Sequence, residues 1–299
     1  MNVVAIVNPL SGAGADPDAA ARRVRLLEER FASERLAAVV FLTERRHHAT
    51  ELARDAVGRG ASLVIAWGGD GTINEVASIV AASGRTMGVI PAGSGNGFAR
   101  ELGLPSDPHA ALDVILRGRD TLIDVGELDG RLFFNIAGIG VDAVIAEAFN
   151  KRALGRRGMG PYVAIGLREA FRYRAVRYRI VLDGEDVHSS ALLVAFANGR
   201  EYGNGIRLAP HARLDDGKLE AVVVEDRHPF ARLWGGRHLF RGTTHLAARI
   251  TLRSIQQAEV YADAPIQYHL DGETGVADRH VSVRIHPARL RMRVPANQV

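Results

Sequence analysis

Three glycine-rich segments constrain this chain more than any other feature. Residues 8–14, 68–72 and 93–97 each follow a short apolar run of strand character, at 3–7, 63–67 and 87–90. In most cases a helical pattern comes next. Strand–helix alternation over short loops predicts a parallel sheet covered on both faces. In such a sheet all three glycine loops share the C-terminal edge, where ligands bind. Glycine lets backbone approach a phosphate closely, and each following helix aims N–H groups and a positive dipole end at an anion.

The alternation runs to about residue 123. A second strand is expected at 37–42, and helices at 49–57 and 72–82. Asp16-Pro17 and Asp107-Pro108 each read as an N-cap followed by proline at the first helical position. From 124 to 299 the rhythm becomes strand after strand, at 131–137, 176–183, 187–198, 219–225, 249–251, 259–262, 266–270 and 281–286. Helical patterns persist only at 143–150, 162–171 and 230–240. The fold expected is an α/β nucleotide-binding domain over 1–123 and an antiparallel, sandwich-like β domain over 124–299. The last strand, near 288–299, is a candidate to return to the first domain.

Any one glycine loop reads equally well as a tight turn, with Asp70 merely capping the next helix. Three at one sheet edge favour a phosphate site. Asp70 then needs a reason to sit beside phosphates, and an intervening Mg²⁺ supplies one. Other nucleotide folds fit poorly. The only lysines are Lys151 and Lys218, and neither lies in a G-x-x-x-x-G-K-[ST] loop; no early loop reads G-x-G-x-x-G. The absence of cysteine excludes disulfides and Cys-held zinc and suits a reducing cytoplasm. Residues 1–7 show no secretory signal and no apolar run spans a bilayer, so any membrane contact, such as at the inner face, is expected to be peripheral. The formal charge of +4 suits anionic lipid, nucleotide or nucleic acid alike.

Gly68-Gly69-Asp70-Gly71-Thr72-Ile73-Asn74-Glu75-Val76 resembles the GGDGTxNEV signature of the diacylglycerol, sphingosine and related lipid kinases. Its GGDGT core is shared with NAD kinases. Asn8-Pro9-Leu10-Ser11-Gly12 resembles the family's NPxSG loop, and Pro91-Ala92-Gly93-Ser94-Gly95-Asn96-Gly97-Phe98-Ala99-Arg100 its PxGTxNDFAR element, which NAD kinases lack. Later, Gly203-Asn204-Gly205-Ile206, Ala209-Pro210 and Leu214-Asp215-Asp216-Gly217-Lys218-Leu219 are similar to the family's GGG…P…DGxL stretch, and Asp271-Gly272-Glu273 to its DGE. Ser94 stands where the family carries Thr. Gly97 stands where it carries Asp, as in sphingosine and ceramide kinases, which leaves the acceptor lipid unassigned.

The resemblance implies an ATP-dependent kinase acting on a lipid hydroxyl, with Mg²⁺ as cofactor. It implies that Asn8, Pro9, Leu10, Ser11, Gly12, Thr43, Gly68, Gly69, Asp70, Gly71, Thr72, Ile73, Asn74 and Ser94 bind ATP. Glu273 would accept the hydroxyl proton, with Asp271 beside it. Asp216, with the carbonyls of Arg213 and Lys218, would hold a structural Mg²⁺. No nucleic-acid partner is expected, and no pattern specifies or forbids a homo-oligomer. The alternatives are a kinase of a soluble acceptor such as NAD, and a catalytically idle nucleotide- or lipid-binding regulator. The loops at 8–12 and 94–100 argue against the first, Asp70 and Glu273 against the second.

Two basic segments remain. Arg168, Arg172, Arg174, Arg177 and Arg179 interleave with Phe171, Tyr173 and Tyr178; because Arg177 and Arg179 alternate with Val176, Tyr178 and Ile180, a strand with one wet face is read there in preference to a lipid contact. Lys151, Arg152, Arg156 and Arg157 form a second patch open to both readings. His47-His48 reads as a helix-start feature.

Overall fold

The computed structural model describes residues 2–12, 16, 18–151, 166, 168–169, 172–203, 206–226 and 250–296. The helix expected at 230–240, most of that at 162–171, the patch at Arg152, Arg156 and Arg157, and Asn204-Gly205 lie outside them. The chain divides into two units, Met1–Ile123 with Ala288–Val299, and Asp124–Pro287.

In the first unit, strands β1 (Asn2–Val7), β2 (Ala37–Leu42), β3 (Leu63–Gly68) and β4 (Thr86–Pro91) alternate with helices. These are α1 (Ala19–Ser33), α2 (His48–Gly58), α3 (Asp70–Val80), α4 (Gly97–Glu101) and α5 (Pro108–Arg117). The strands are parallel in the order β4-β3-β1-β2. β3 and β4 are buried throughout, as strands covered on both faces must be. On one face, Val3, Ala5, Val7, Leu63, Ile65 and Trp67 pack against Leu27 and Phe31 of α1 and Leu112 and Ile115 of α5. Alternation turns Val4, Ile6, Val64 and Ala66 the other way, towards α2 and α3.

The cap rule holds at one of its two sites. Asp107 accepts the Ala110 N–H at 2.9 Å with Pro108 opening α5. Asp16 instead accepts the Asp18 N–H at 3.0 Å and pairs with Arg22. That side-chain turn delays α1 to Ala19.

In the second unit, β5 (Arg119–Leu128) enters from the first and is followed by β6 (Arg131–Phe133), β7 (Ile136–Gly140), α6 (Val141–Lys151), β8 (Val176–Leu182) and β9 (Glu185–Ala197). Next come β10 (Glu201–Gly203), β11 (Ile206–Arg207), β12 (Leu219–Glu225), β13 (Ile250–Ile255), β14 (Gln257–Ala262), β15 (Ile266–Leu270), β16 (Glu273–Ala277) and β17 (His280–Val294). The pairings within this unit are antiparallel. β9 changes partners at Ala191, leaving β8 for β12, while its far end also pairs with β7. One strand thus serves two layers, which close over Phe133, Ile139, Ile180, Val194, Phe196 and Val260. On β8, Arg177 and Arg179 face water while Tyr178 and Ile180 are buried, and Arg179 is bonded to Asp186. The end of β17 lies in the first unit, where Arg291 and Met292 pair in parallel with Thr86 and Met87 of β4.

Candidate active site

Parallel register carries the glycine loops to one edge. Val7 of β1 is paired with Trp67 of β3, and Trp67 with Ile90 of β4, so the three strands end side by side. The loops that follow are bonded to one another. The Asn8 side-chain amide donates to the Thr72 hydroxyl at 2.9 Å, and the Gly69 N–H donates to Ser11 Oγ at 3.2 Å. The Asn96 N–H donates to Asp70 Oδ2 at 2.9 Å, which ties the third loop to the second.

The glycines are needed for this approach. A Cβ on Gly12, where φ is +64°, would lie 2.2 Å from the Ala92 carbonyl oxygen. One on Gly93 would lie 2.8 Å from the Gly69 Cα. Asn96 is left-handed, with φ of 50°, and its side chain closes the loop on itself by bonding the Gly93 N–H and carbonyl at 2.8 Å each.

Asp70 is the first residue of α3, with Gly69 in the cap position. From inside the first turn its carboxylate links two loops. The neighbouring residues divide by exposure. Leu10 and Ser94 stand out towards solvent, whereas Thr72 and Ile73 are buried, and the Ile73 side chain belongs to the core. Thr43 is held by its N–H on the Val7 carbonyl at 2.9 Å. Asn74 accepts from Ser78, and Glu75 accepts the Thr50 N–H at 3.2 Å, joining α3 to α2.

Sequence reasoning missed Arg23. From α1 its guanidinium donates to the Asn8 carbonyl at 2.6 Å and to that of Ser11, and it sits 5.4 Å from the Trp67 ring centre. Burial, aided by the neighbouring Arg22 charge, holds its pKa below the usual arginine value. No local pattern announces this role.

In the second unit, β15 and β16 form a hairpin in which Leu270 pairs with Glu273. Asp271 and Gly272 make the two-residue turn with φ of 49° and 92°, the left-handed pair that Asp-Gly favours. Glu273 opens β16. The Asp271 carboxylate accepts three backbone N–H groups, from Phe134 at 2.8 Å and from Asn135 and Ile136 at 2.9 Å. It clamps the turn to the start of β7.

The same β6–β7 bend bonds onward. Asn198 donates to the carbonyls of Phe134 and Asp124 at 2.9 Å, and buried Asp124 accepts the Gly217 N–H at 2.6 Å. Asp124 was not singled out in the sequence. It anchors the loop carrying Arg213, Asp216 and Lys218, where exposed Asp216 accepts the Lys218 N–H at 3.1 Å. The groups expected to hold a cation there, the Asp216 carboxylate and the Arg213 and Lys218 carbonyls, would be oxygen donors of the kind Mg²⁺ takes.

Residues 2–128 match the diacylglycerol kinase catalytic domain, and residues 135–294 match the YegS C-terminal NAD kinase beta sandwich-like domain. A diacylglycerol kinase from Mycobacterium tuberculosis is 34% identical over 230 residues, covering 75% of this chain and 73% of the relative. The chain belongs to the diacylglycerol kinase-like lipid kinase family. A YegS-like lipid kinase from Pseudomonas aeruginosa is 29% identical over 277 residues, covering 92% and 89%. A Bacillus anthracis structure titled as a diacylglycerol kinase shares the fold with a TM-score of 0.74 at 22% identity, covering 100% of this chain and 98% of that one. Another from the same organism reaches 0.82 at 23%, covering 100% and 96%. Membership makes this family member a kinase for an alcohol-bearing lipid, with ATP as the implied donor. Among the described residues no helix is long and apolar enough to cross a membrane.

Proposed function

We propose that the chain transfers the γ-phosphoryl group of Mg²⁺·ATP to the free hydroxyl of diacylglycerol, at a membrane surface that it touches peripherally. The observation that carries this reading is the bonding of three glycine loops around Asp70. The cluster fits a triphosphate in two respects: backbone approaches closely where side chains cannot fit, and α3 turns its positive end towards the same place. Bound Mg²⁺ would supply charge neutralisation on the β- and γ-oxygens.

The protein's own residues would then do three things. The loops 8–12, 68–74 and 93–96 bind and orient the phosphates, with Ser94 at the exposed tip and Thr43 beside them. Asp70 holds the cation side of the nucleotide. Glu273 accepts the proton as the hydroxyl oxygen bonds to phosphorus, because an unactivated alcohol hardly ionises at neutral pH. Asp271, committed to three N–H groups, positions Glu273. A structural Mg²⁺ on Asp216 and the Arg213 and Lys218 carbonyls would brace the loop on Asp124.

The deciding experiment is transfer of labelled γ-phosphate across diacylglycerol, sphingosine, phosphatidylglycerol and NAD. Label entering diacylglycerol, and lost in Glu273→Gln, is expected. Label entering NAD alone would remove the lipid reading, and full turnover of Glu273→Gln would remove the assignment of the base.

A further inference from the structure

Behind the Asp271-Gly272 turn lies a buried acid–imidazole pair that phosphoryl transfer leaves unused. His269 of β15 and Asp142 of α6 are 1% and 6% exposed, and their Nε2 and Oδ2 atoms are 2.7 Å apart. β7 makes room for them. Gly138 faces His269 in the β15–β7 register, and a Cβ there would lie 2.0 Å from Asp142 Oδ2 and 2.5 Å from His269 Nε2. Any larger residue at 138 would displace the pair. Asp142 stands in the first turn of α6, where the helix dipole favours a carboxylate.

The other ring nitrogen points at the turn. The Gly272 N–H donates to His269 Nδ1 at 3.3 Å. An amide N–H can only donate, so Nδ1 presents its lone pair and the ring proton resides on Nε2, directed at the Asp142 carboxylate. One tautomer satisfies both contacts. Such a buried ring cannot touch a substrate. It does hold Gly272, the residue between the clamped Asp271 and Glu273. Asp271 is fixed by the N–H groups at the start of β7 and Gly272 by His269 of β15, so both turn residues that lead into Glu273 are held.

We infer that His269, oriented by Asp142, is a positioning residue that fixes Glu273 for proton acceptance. The inference rests on the reading of Glu273 as the proton acceptor. Misplacing a reacting group by about 1 Å can cost on the order of 100-fold in rate, so a weak bond to the turn is enough to matter.

Two substitutions separate positioning from plain stability. In His269→Gln the longer amide keeps a donor for Asp142 and loses the acceptor for Gly272. In His269→Asn the shorter amide keeps an acceptor near the Nδ1 position and leaves Asp142 without its ring partner. The expected result is opposite orders: the Gln variant melts higher than the Asn variant, yet has the lower kcat, by about tenfold or more, with the KM for ATP unchanged in both. If kcat follows melting temperature in the same order, or if the Gln variant keeps wild-type kcat, the inference is overturned.

A measurement on the unaltered protein does not depend on either variant folding. The ¹⁵N spectrum of His269 at neutral pH is expected to show the Nε2–H tautomer, and an Nδ1–H tautomer would overturn the inference. Glu273→Gln assayed in parallel separates the two failures. Full turnover there removes the base itself, whereas an inactive Glu273→Gln beside an unaffected His269→Gln removes only the positioning role.

Discussion

Asp271→Ala isolates the contribution of a carboxylate whose partners are all backbone. The donors belong to Phe134, Asn135 and Ile136, which are 1%, 4% and 3% exposed, so little water stands ready to replace the lost acceptor. A bond to a charged acceptor contributes about 1.5–3 kcal/mol, and a buried donor left unpaired costs about 1–3 kcal/mol. With water reaching one of the three, two donors stay unpaired and the loss is about 2–6 kcal/mol. Alanine must also adopt a φ near 49°, which adds about 1 kcal/mol. Asp271→Asn should lose less. Both the Asn135 and Ile136 bonds go to Oδ1, which the amide oxygen can replace, and asparagine accepts the left-handed turn. Only the Phe134 N–H then faces a donor, for a loss of about 1–3 kcal/mol. Urea unfolding followed by circular dichroism, with hydrogen exchange at residues 134–136 to locate the change, measures both variants. An alanine variant within about 1 kcal/mol of wild type, or an asparagine variant equally damaged, would refute the clamp.

Asp70→Ala should leave the fold largely intact and lower phosphoryl transfer by about 100-fold or more; unchanged turnover with Mg²⁺·ATP would contradict its place at the phosphates. Gly12→Ala puts a Cβ 2.2 Å from the Ala92 carbonyl and should raise the KM for ATP by about tenfold as the loops part, read from initial rates. If Asp216 holds a cation, Mg²⁺ should raise the melting temperature of the wild type but not of Asp216→Ala, and equal responses would count against the site. Glu127 tests pH linkage: burial pushes its carboxyl up, but bonds from His286 and Arg284 outweigh this and hold it below the ordinary 4.5. Its stabilisation is therefore present above pH 4.5 and lost as pH falls through the lower folded value, so the deficit of Glu127→Gln in urea should be full at neutral pH and vanish in acid.

The two-part architecture was legible because its signals are local. β1, β3 and β4 are apolar runs because parallel strands are buried on both faces, and β8 alternates because one of its faces is wet. The convergence of the glycine loops follows from topology alone, since parallel neighbours end at one edge. What escaped were features decided by polar contacts between distant residues. The segment 131–137 reads as one strand, yet it breaks at Phe134-Asn135, where the N–H groups turn to Asp271 more than 130 positions away. β5 escaped notice because its opening residues, Arg119 and Asp120, carry charge. Glu273 is the first paired residue of β16, directly after the Asp271-Gly272 turn. The Asp142–His269 pair, separated by 127 residues, leaves no local trace except Gly138, whose missing side chain is the space the pair fills.

A motif therefore brings carboxylates together without saying what aims either of them. Within Asp271-Gly272-Glu273 two carboxylates lie two residues apart and are chemically alike, so sequence offers no ground for giving them different work. The fold supplies that ground. Asp271 is saturated by N–H donors that hold the turn, and a carboxylate so engaged is poorly placed to collect a substrate proton. Glu273 opens β16, where it pairs with Leu270 across the hairpin. Under the proposed reading the division of labour follows from the neighbours Asp271 meets, and exchanging the two residues should abolish both the clamp and proton acceptance.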